Sequence, residues 1–151
     1  MRVIHGFDEL QAHLGQELAK SDWITVTQAQ VNLFAEATGD HQWIHTDPVL
    51  AAQGPFGVPI AHGFLTLSMM PRFFESAISM PCVRMGVNYG LNKVRFTAPV
   101  PVGSRLQASL TPVQVVFLPD RGYQTTWDVV VCRDEAVKPV CVAQLLVRQY
   151  C

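Results

Sequence analysis

Charged residues are scarce in this sequence, and they form no block of one sign. Asp, Glu, Lys and Arg make up 15% of the 151 residues, and the formal net charge is −1. Electrostatic binding to nucleic acid or to an anionic membrane surface requires clustered Lys and Arg side chains. We therefore expect neither a nucleic-acid partner nor a membrane partner.

A long hydrophobic run is also missing, although 49% of the residues are apolar. No stretch approaches the roughly 20 consecutive apolar residues of a transmembrane helix. The first residues lead into Asp8 and Glu9, whereas a secretory signal continues into an apolar segment. Length and composition predict one domain, residues 1–151, and a cytoplasmic protein.

Cysteine is rare, and no Cys-x-x-Cys pair is present. The four cysteines are Cys82, Cys132, Cys141 and Cys151, a spacing that argues against a zinc knuckle or a redox dithiol. Cys132 and Cys141 flank a predicted hairpin and could lie close together. In a cytoplasmic setting we expect reduced, buried thiols.

Helix signals dominate the first half of the chain. Thr27 precedes a glutamine by three residues, which is the pattern of a capping box. Gly39 is placed to end that helix, because glycine tolerates the left-handed conformation after the last turn. Asp47 and Pro48 form a typical N-cap and N1 pair and predict a second, short helix.

One later segment is apolar on every side. It runs from Gly63 to about Met70, and a helix without a polar face is expected inside the protein. Pro71 should kink or end this helix, because proline lacks the N–H that a helix interior needs.

The second half has the alternation of β-strands. Extended runs are predicted over residues 84–97, from Gly103 onward, over 123–131 and over 140–150. Pro112 predicts a bulge or a bend at a sheet edge, and Pro119–Gly122 predict a turn. Helices followed by successive strands predict an α+β fold, with an antiparallel sheet wrapped around the long apolar helix.

Groups that can move protons are concentrated between Asp40 and Asp47. That stretch contains two carboxylates and two imidazoles within eight residues. Asp40 and His45 lie on a short predicted loop, which can bend so that both side chains point at one water. Gly63 would add a backbone N–H at the start of the apolar helix, where a substrate carbonyl could approach closely. Together these groups suit addition or removal of water next to a carbonyl.

Plainer interpretations of the same residues remain open. Asp40 could cap a turn, and His45 could be a hydrogen-bonded structural histidine. His41, His45 and Asp47 could ligate a metal, but the flanking glycine and proline argue against one continuous helix there, so we expect no metal. His62 could contact the substrate or pack at the start of the helix.

Two cations alternate on the strand that follows the apolar helix. Lys93 and Arg95 occupy one face of that strand. They could hold phosphate groups, although alternating charges on a strand are also typical of a solvent-facing side.

Several stretches resemble one known family. Gly-Asp-His-Gln-Trp-Ile-His at residues 39–45 and the His-Gly pair within residues 59–64 are similar to the MaoC-like family of (R)-specific enoyl-CoA hydratases, or hydratase 2. Residues 89–96 and 99–103 resemble its nodulation-protein-N-like branch.

The resemblance implies a fold and an activity. The fold would be a hot-dog fold, and the protein a homodimer. Asp40 and His45 would activate water, and the Gly63 N–H would bind the thioester carbonyl. The reaction would be reversible syn hydration of a trans-2-enoyl-CoA to an (R)-3-hydroxyacyl-CoA. Coenzyme A thioester is then the substrate, and no metal or other cofactor is expected.

Two residues depart from the broader hydratase pattern. Gln42 stands where asparagine is common, and Trp43 stands where proline is common. Gln42 keeps an amide and is expected to bind substrate, and Lys93 and Arg95 are candidates for the coenzyme A phosphates. A hot-dog acyl-CoA thioesterase and a non-catalytic acyl-CoA-binding subunit are the alternatives.

Overall fold

The chain changes from helices to long strands near residue 80. The computed structural model describes residues 1–120 and 122–151. In chain order the elements are β1 (Arg2–Val3), α1 (Phe7–Ala12), β2 (Ala19–Lys20), β3 (Ile24–Thr25), α2 (Gln28–Thr38), α3 (Trp43–Thr46), α4 (Pro48–Ala52), α5 (Gly63–Ser68), α6 (Met70–Ala77), β4 (Ile78–Ser79), β5 (Met85–Phe96), β6 (Arg105–Phe117), β7 (Tyr123–Arg133) and β8 (Pro139–Tyr150).

Four long strands form an antiparallel sheet in the order β6–β7–β8–β5, and short strands β2 and β3 pair with the outer side of β6. The register shifts between Asn88 and Gly90, between Leu91 and Lys93, and after Pro112. Such bulges increase the local bend and twist of a strand. The bulge predicted at Pro112 is confirmed.

Helices α5 and α6 pack on one face of this sheet. Phe73 of α6 is completely buried among alternate strand residues that share that face. The buried strand residues are Leu106, Ala108, Leu110, Trp127, Val129, Val131, Cys141, Ala143 and Leu145. Burial of this apolar surface is the main source of stability. The predicted α+β arrangement, with an antiparallel sheet around central helices, is confirmed.

The predicted long central helix is in fact two helices. Met69 separates α5 from α6, and Pro71 lies in the first turn of α6. Proline cannot donate to the carbonyl four residues earlier, so a continuous helix is disfavoured at this point. Burial is also incomplete: Phe64 is 67% exposed, so the expectation of a helix buried on every side is wrong for this residue.

The helix ends follow the predicted capping chemistry. The Thr27 hydroxyl accepts from the Gln30 N–H, and the Gln30 side chain accepts from the Thr27 N–H. Gly39 has φ of 77° after the last turn of α2. The Asp47 carboxylate accepts from the N–H groups of Val49 and Leu50 at the start of α4. All three signals predicted from sequence are confirmed.

The four thiols are free. Cys141 pairs with Val131 across the hairpin, whereas Cys132 pairs with Pro139. Burial raises the pKa of the Cys141 thiol to about 11, so it remains protonated at neutral pH. The expectation of buried thiols holds for Cys141 and is wrong for Cys151, which is exposed at the end of the chain.

Two further expectations concern the surface of the molecule. Of the predicted turn at Pro119–Gly122, Arg121 lies outside the described residues, and the Leu118 N–H donates to the Gly122 carbonyl at 2.8 Å. Among the described residues, no helix has the length and apolar character that crossing a bilayer requires.

Candidate active site

The loop between α2 and α3 presents Asp40. Gly39 ends α2 in a left-handed conformation, and its N–H donates to the Ala35 carbonyl. The Asp40 N–H then contacts the Thr38 hydroxyl at 3.4 Å. The turn therefore projects the Asp40 side chain beyond the helix, where it is 54% exposed.

His45 lies on α3, one helical turn rather than the irregular loop expected from the sequence. Its ring is buried, and Nδ1 lies 2.6 Å from the Ile60 carbonyl oxygen. Because a carbonyl can only accept, Nδ1 carries the proton of the neutral ring. The Nε2 lone pair is then available to take a proton from another group.

Backbone hydrogen bonds fix α3 against the segment before α5. The Ile60 N–H donates to the Ile44 carbonyl at 3.0 Å. The Gln28 side chain of α2 donates to the His45 carbonyl at 2.8 Å. These contacts fasten the backbone that carries His45 to α2 and to the segment that leads into α5.

His62 is buried beside Asp40 and His45. Its Nε2 donates to the Asp40 carbonyl oxygen at 2.9 Å and lies 3.9 Å from an Asp40 carboxylate oxygen. The rings of His62 and His45 stack with centroids 3.9 Å apart. The contacts link both residues of the predicted catalytic pair. The contribution of His62 to substrate binding stays a prediction.

The three side chains form one compact cluster. One ligand atom from each of Asp40, His45 and His62 lies within 4.8 Å of the others, a spacing at which a cation could be held. Both rings, however, already donate a ring N–H to a backbone carbonyl, and they stack instead of converging. This geometry favours a hydrogen-bonded acid–base cluster.

The ligand set considered from the sequence, His41 with His45 and Asp47, does not come together. His41 lies on the surface, 3.7 Å from a Glu36 carboxylate oxygen. The Asp47 carboxylate is occupied as the N-cap of α4. The residues that do lie beside His45 are Asp40 and His62, and the sequence could not reveal that His62, distant in the chain, would be one of them. That no resident metal is needed stays a prediction.

Gly63 is the first residue of α5, and the first N–H groups of a helix have no partner within it. No described residue accepts a hydrogen bond from this N–H. A Cβ at Gly63 would lie 2.7 Å from the Phe96 ring. Any larger residue at position 63 therefore requires the Phe96 ring to move.

A cavity of about 370 Å³ opens beside this cluster. His45, Gly63 and Thr66 line it together with mostly apolar groups: Phe56, Ile60, Ala61, Phe96, Thr97, Ala98, Pro99, Val100 and Val140. The structure thus brings His45 and Gly63 to one apolar cavity. Asp40 does not line this cavity, but it lies within 4.8 Å of His45.

Other predicted residues lie outside this cavity. The Gln42 side chain is exposed, and its carbonyl accepts from the N–H groups of α3. Phe96 points toward the cavity, so the alternation of β5 places Lys93 and Arg95 on the opposite face. Their assignment to substrate and coenzyme A phosphates stays a prediction.

Sequence reasoning missed Thr66 and the two aromatic walls, Phe56 and Phe96. One signal was present: Thr66 is a polar residue inside the apolar run from Phe64 to Leu67. The aromatic residues gave no comparable signal, because an apolar side chain on a loop or strand is common and its contacts depend on the fold.

The sequence is similar to a known domain family and to several known proteins. A family model of the MaoC like domain matches residues 9–131. Over 148 residues, or 98% of each chain, the protein is 50% identical to 3-hydroxyacyl-thioester dehydratase Z of Mycobacterium tuberculosis. It is 44% identical over 139 residues to Nodulation protein N of Rhizobium leguminosarum bv. viciae, covering 89% of this chain and 85% of that one.

A solved structure confirms the fold. The unliganded R-hydratase PhaJ1 from Pseudomonas aeruginosa is similar with a TM-score of 0.69 and 24% identity, over 92% of this chain and 84% of that chain. The predicted hot-dog fold and the resemblance to the nodulation-protein-N-like branch are both confirmed. On the match over residues 9–131 and the identity to relatives along its length, this chain belongs to the MaoC-like domain family.

Proposed function

We propose that this protein is an (R)-specific enoyl-CoA hydratase, which adds water reversibly to a trans-2-enoyl-CoA to give an (R)-3-hydroxyacyl-CoA. The carrying observation is that His45 and Gly63 line one apolar cavity while Asp40 lies beside His45. Membership of a family whose relatives are named as dehydratases and hydratases makes the chain a hydro-lyase-type enzyme that acts on thioesters.

The Asp40–His45 pair supplies the proton transfers. In this proposal a water lies between the Asp40 carboxylate and the free Nε2 of His45. As the water oxygen bonds to C3, its proton passes to the pair, and a proton reaches C2 on the same face. A positioned acid and base typically accelerate such steps by about 10²- to 10⁴-fold.

The Gly63 N–H stabilises the negative charge that forms on the thioester oxygen. When water adds at C3, the electrons of the double bond move toward that oxygen before C2 is protonated. A fixed N–H donor lowers the energy of this enolate-like state more than that of the substrate. Gly63 suits this role because its N–H has no described protein partner.

The cavity is expected to take the acyl part of the substrate. Its lining is mainly aliphatic and aromatic, so an acyl chain gains contact area there without leaving polar groups unpaired. Hydration forms a C3–O bond and a C2–H bond at the expense of the double bond and one O–H bond of water. It involves no net oxidation or reduction, and Asp40 and His45 can transfer the proton. We therefore propose that no metal or redox cofactor takes part.

We also propose that the protein is a homodimer. β5 pairs only with β8 in the described sheet, so its other edge has free backbone groups. Five large apolar side chains of this strand are 41–53% exposed: Met85, Val87, Tyr89, Leu91 and Phe96. A second subunit covering β5 would remove this surface from water, and Phe96 would bring the cavity close to the interface.

The test uses purified protein with crotonyl-CoA, a short trans-2-enoyl thioester. Loss of the conjugated thioester absorbance, with (R)-3-hydroxybutyryl-CoA as product, is the expected result. Release of free coenzyme A thiol without hydration would identify a thioesterase instead. Tight binding of the thioester with neither reaction would identify a non-catalytic binding subunit.

A further inference from the structure

One hydroxyl in the cavity wall has no hydrogen-bond partner. Thr66 is 2% exposed, and its Oγ1 bonds to no described residue. A buried polar group left unpaired is destabilising, so native proteins rarely keep one without a reason. A threonine within a helix usually donates to the carbonyl four residues earlier, which here is the His62 carbonyl, and Thr66 does not.

Thr66 lies on the face of α5 that also carries Gly63. Residues three apart share one face of a helix, and both Gly63 and Thr66 line the cavity. Side chains on a helix tilt toward its N-terminus. This tilt places the Thr66 side chain over the first turn of α5, the turn that begins at Gly63.

The other polar side chains that line the cavity already donate hydrogen bonds to backbone carbonyls. The Thr97 hydroxyl donates to the Pro139 carbonyl at 2.6 Å, and His45 donates from Nδ1 to Ile60. The remaining lining side chains have no polar atoms. Within the described lining, the Thr66 hydroxyl is the side-chain donor left for the substrate.

We infer that Thr66 is a second donor to the thioester carbonyl oxygen, acting together with the Gly63 N–H. This inference rests on the proposed hydration reaction. Two donors hold an oxygen in a fixed direction, and both strengthen as negative charge develops on it. Thr66 is then a catalytic residue. Its hydroxyl stays unpaired until substrate binds, which leaves it available to the thioester carbonyl oxygen.

The matched variants are Thr66→Val and Thr66→Ser. Valine keeps the branched shape and removes the hydroxyl, whereas serine keeps the hydroxyl and removes a methyl group. With crotonyl-CoA, Thr66→Val should lower kcat about 10- to 100-fold with KM nearly unchanged, because a transition-state donor is lost. Thr66→Ser should stay within about threefold of the unchanged protein in the same assay.

A spectroscopic readout does not need turnover. In an Asp40→Asn background, bound 2,4-hexadienoyl-CoA should show a red-shifted absorbance, because donors at the carbonyl oxygen polarise the conjugated thioester. Adding Thr66→Val should reduce this shift, and adding Thr66→Ser should preserve it. Thr66→Val should not lower Tm, since no described hydrogen bond of this hydroxyl is lost.

Several results would overturn the inference. An unchanged kcat and red shift in Thr66→Val, or a rise in KM alone, would exclude a transition-state donor. A lower Tm in Thr66→Val that Thr66→Ser restores would assign the hydroxyl to a structural water. If the unchanged protein does not hydrate crotonyl-CoA but shows a red shift that depends on Thr66, the proposed reaction fails while the carbonyl contact stands.

Discussion

At the scale of single residues, the candidate site combines side chains that are held by hydrogen bonds with a glycine that has no side chain. His45 and His62 each use one ring nitrogen on a backbone carbonyl, which fixes their orientation and the proton on that nitrogen. Gly63 is the residue without a side chain at the point where the thioester is proposed to approach. Catalytic geometry of this kind is sensitive to displacements of about 1 Å.

Gly63→Val should therefore reduce turnover far more than stability. Its Cβ would lie 2.7 Å from the Phe96 ring, and the added methyl groups would stand beside the N–H proposed to bind the carbonyl. Phe96 is half-exposed and can rotate away, so the free energy of unfolding should fall by no more than about 2 kcal/mol. We expect kcat to fall by about 10² or more.

Gly6→Val is the control for this substitution. A Cβ at Gly6 meets no atom within 4 Å, and the backbone there is extended. Both variants are compared by urea unfolding and by crotonyl-CoA hydration. Near-normal turnover in a folded Gly63→Val protein would remove Gly63 from the mechanism.

At the scale of elements, the ends of helices position the chemistry. α2 ends at Gly39 and presents Asp40, whereas α3 places His45 over the segment that leads into α5. The cap of α4 by Asp47 keeps this second carboxylate away from the cluster. Two aspartates seven residues apart thus have different surroundings, because one follows a helix and the other begins one.

Gly39→Ala tests this presentation of Asp40. Gly39 has φ of 77°, and a Cβ there would meet nothing within 4 Å, so the cost is backbone strain alone. We expect the free energy of unfolding to fall by about 1 kcal/mol, with reduced turnover as the Asp40 loop relaxes. Gly39→Asn should lose less stability and less turnover than Gly39→Ala, because asparagine tolerates this conformation better than alanine. Equal stability of all three proteins in urea would contradict the account.

Local signals made these elements predictable. The capping box at Thr27, the glycine at the end of α2 and the Asp47–Pro48 pair act through neighbours in the chain, so they can be read without a structure. The break at Met69 was not placed, although Pro71 predicted one nearby. The exact end of a helix before a proline depends on packing as well as on the missing N–H.

Contacts between segments that are distant in the chain could not be predicted from local sequence patterns. Asp40 and His45 were paired from their spacing and resemblance, but the stacking of His62 on His45 and the Phe96 wall at Gly63 arise from packing of separate elements. The free hydroxyl of Thr66 was equally hidden, because a threonine inside a helix normally satisfies itself.

At the scale of the whole molecule, β5 is the surface that indicates a partner. Its large apolar side chains are half-exposed along an edge where the described sheet has no further strand. Edge strands of this kind pair readily with another chain unless charge or a bulge prevents it. We expect sedimentation equilibrium at micromolar concentrations to give twice the mass of one chain.

Val87→Lys should shift this equilibrium toward monomer, because it places a charge among the apolar side chains of β5. Val137→Lys is the control, since Val137 is fully exposed in the β7–β8 turn. A fully active monomer at the same concentration would contradict the homodimer. A Val87→Lys protein that remains dimeric with unchanged affinity would contradict the placement of the interface on β5.

The central claim is that Asp40 and His45 activate water for addition to an enoyl thioester. The most direct measurement compares the initial rate of crotonyl-CoA hydration by Asp40→Asn and by Asp47→Asn, both checked for folding by circular dichroism. Asp47→Asn keeps a good N-cap of α4 and should retain nearly full activity. Asp40→Asn removes one negative charge beside His45 at constant shape, so its rate should fall by about 10² or more. Equal rates for the two variants would contradict the account.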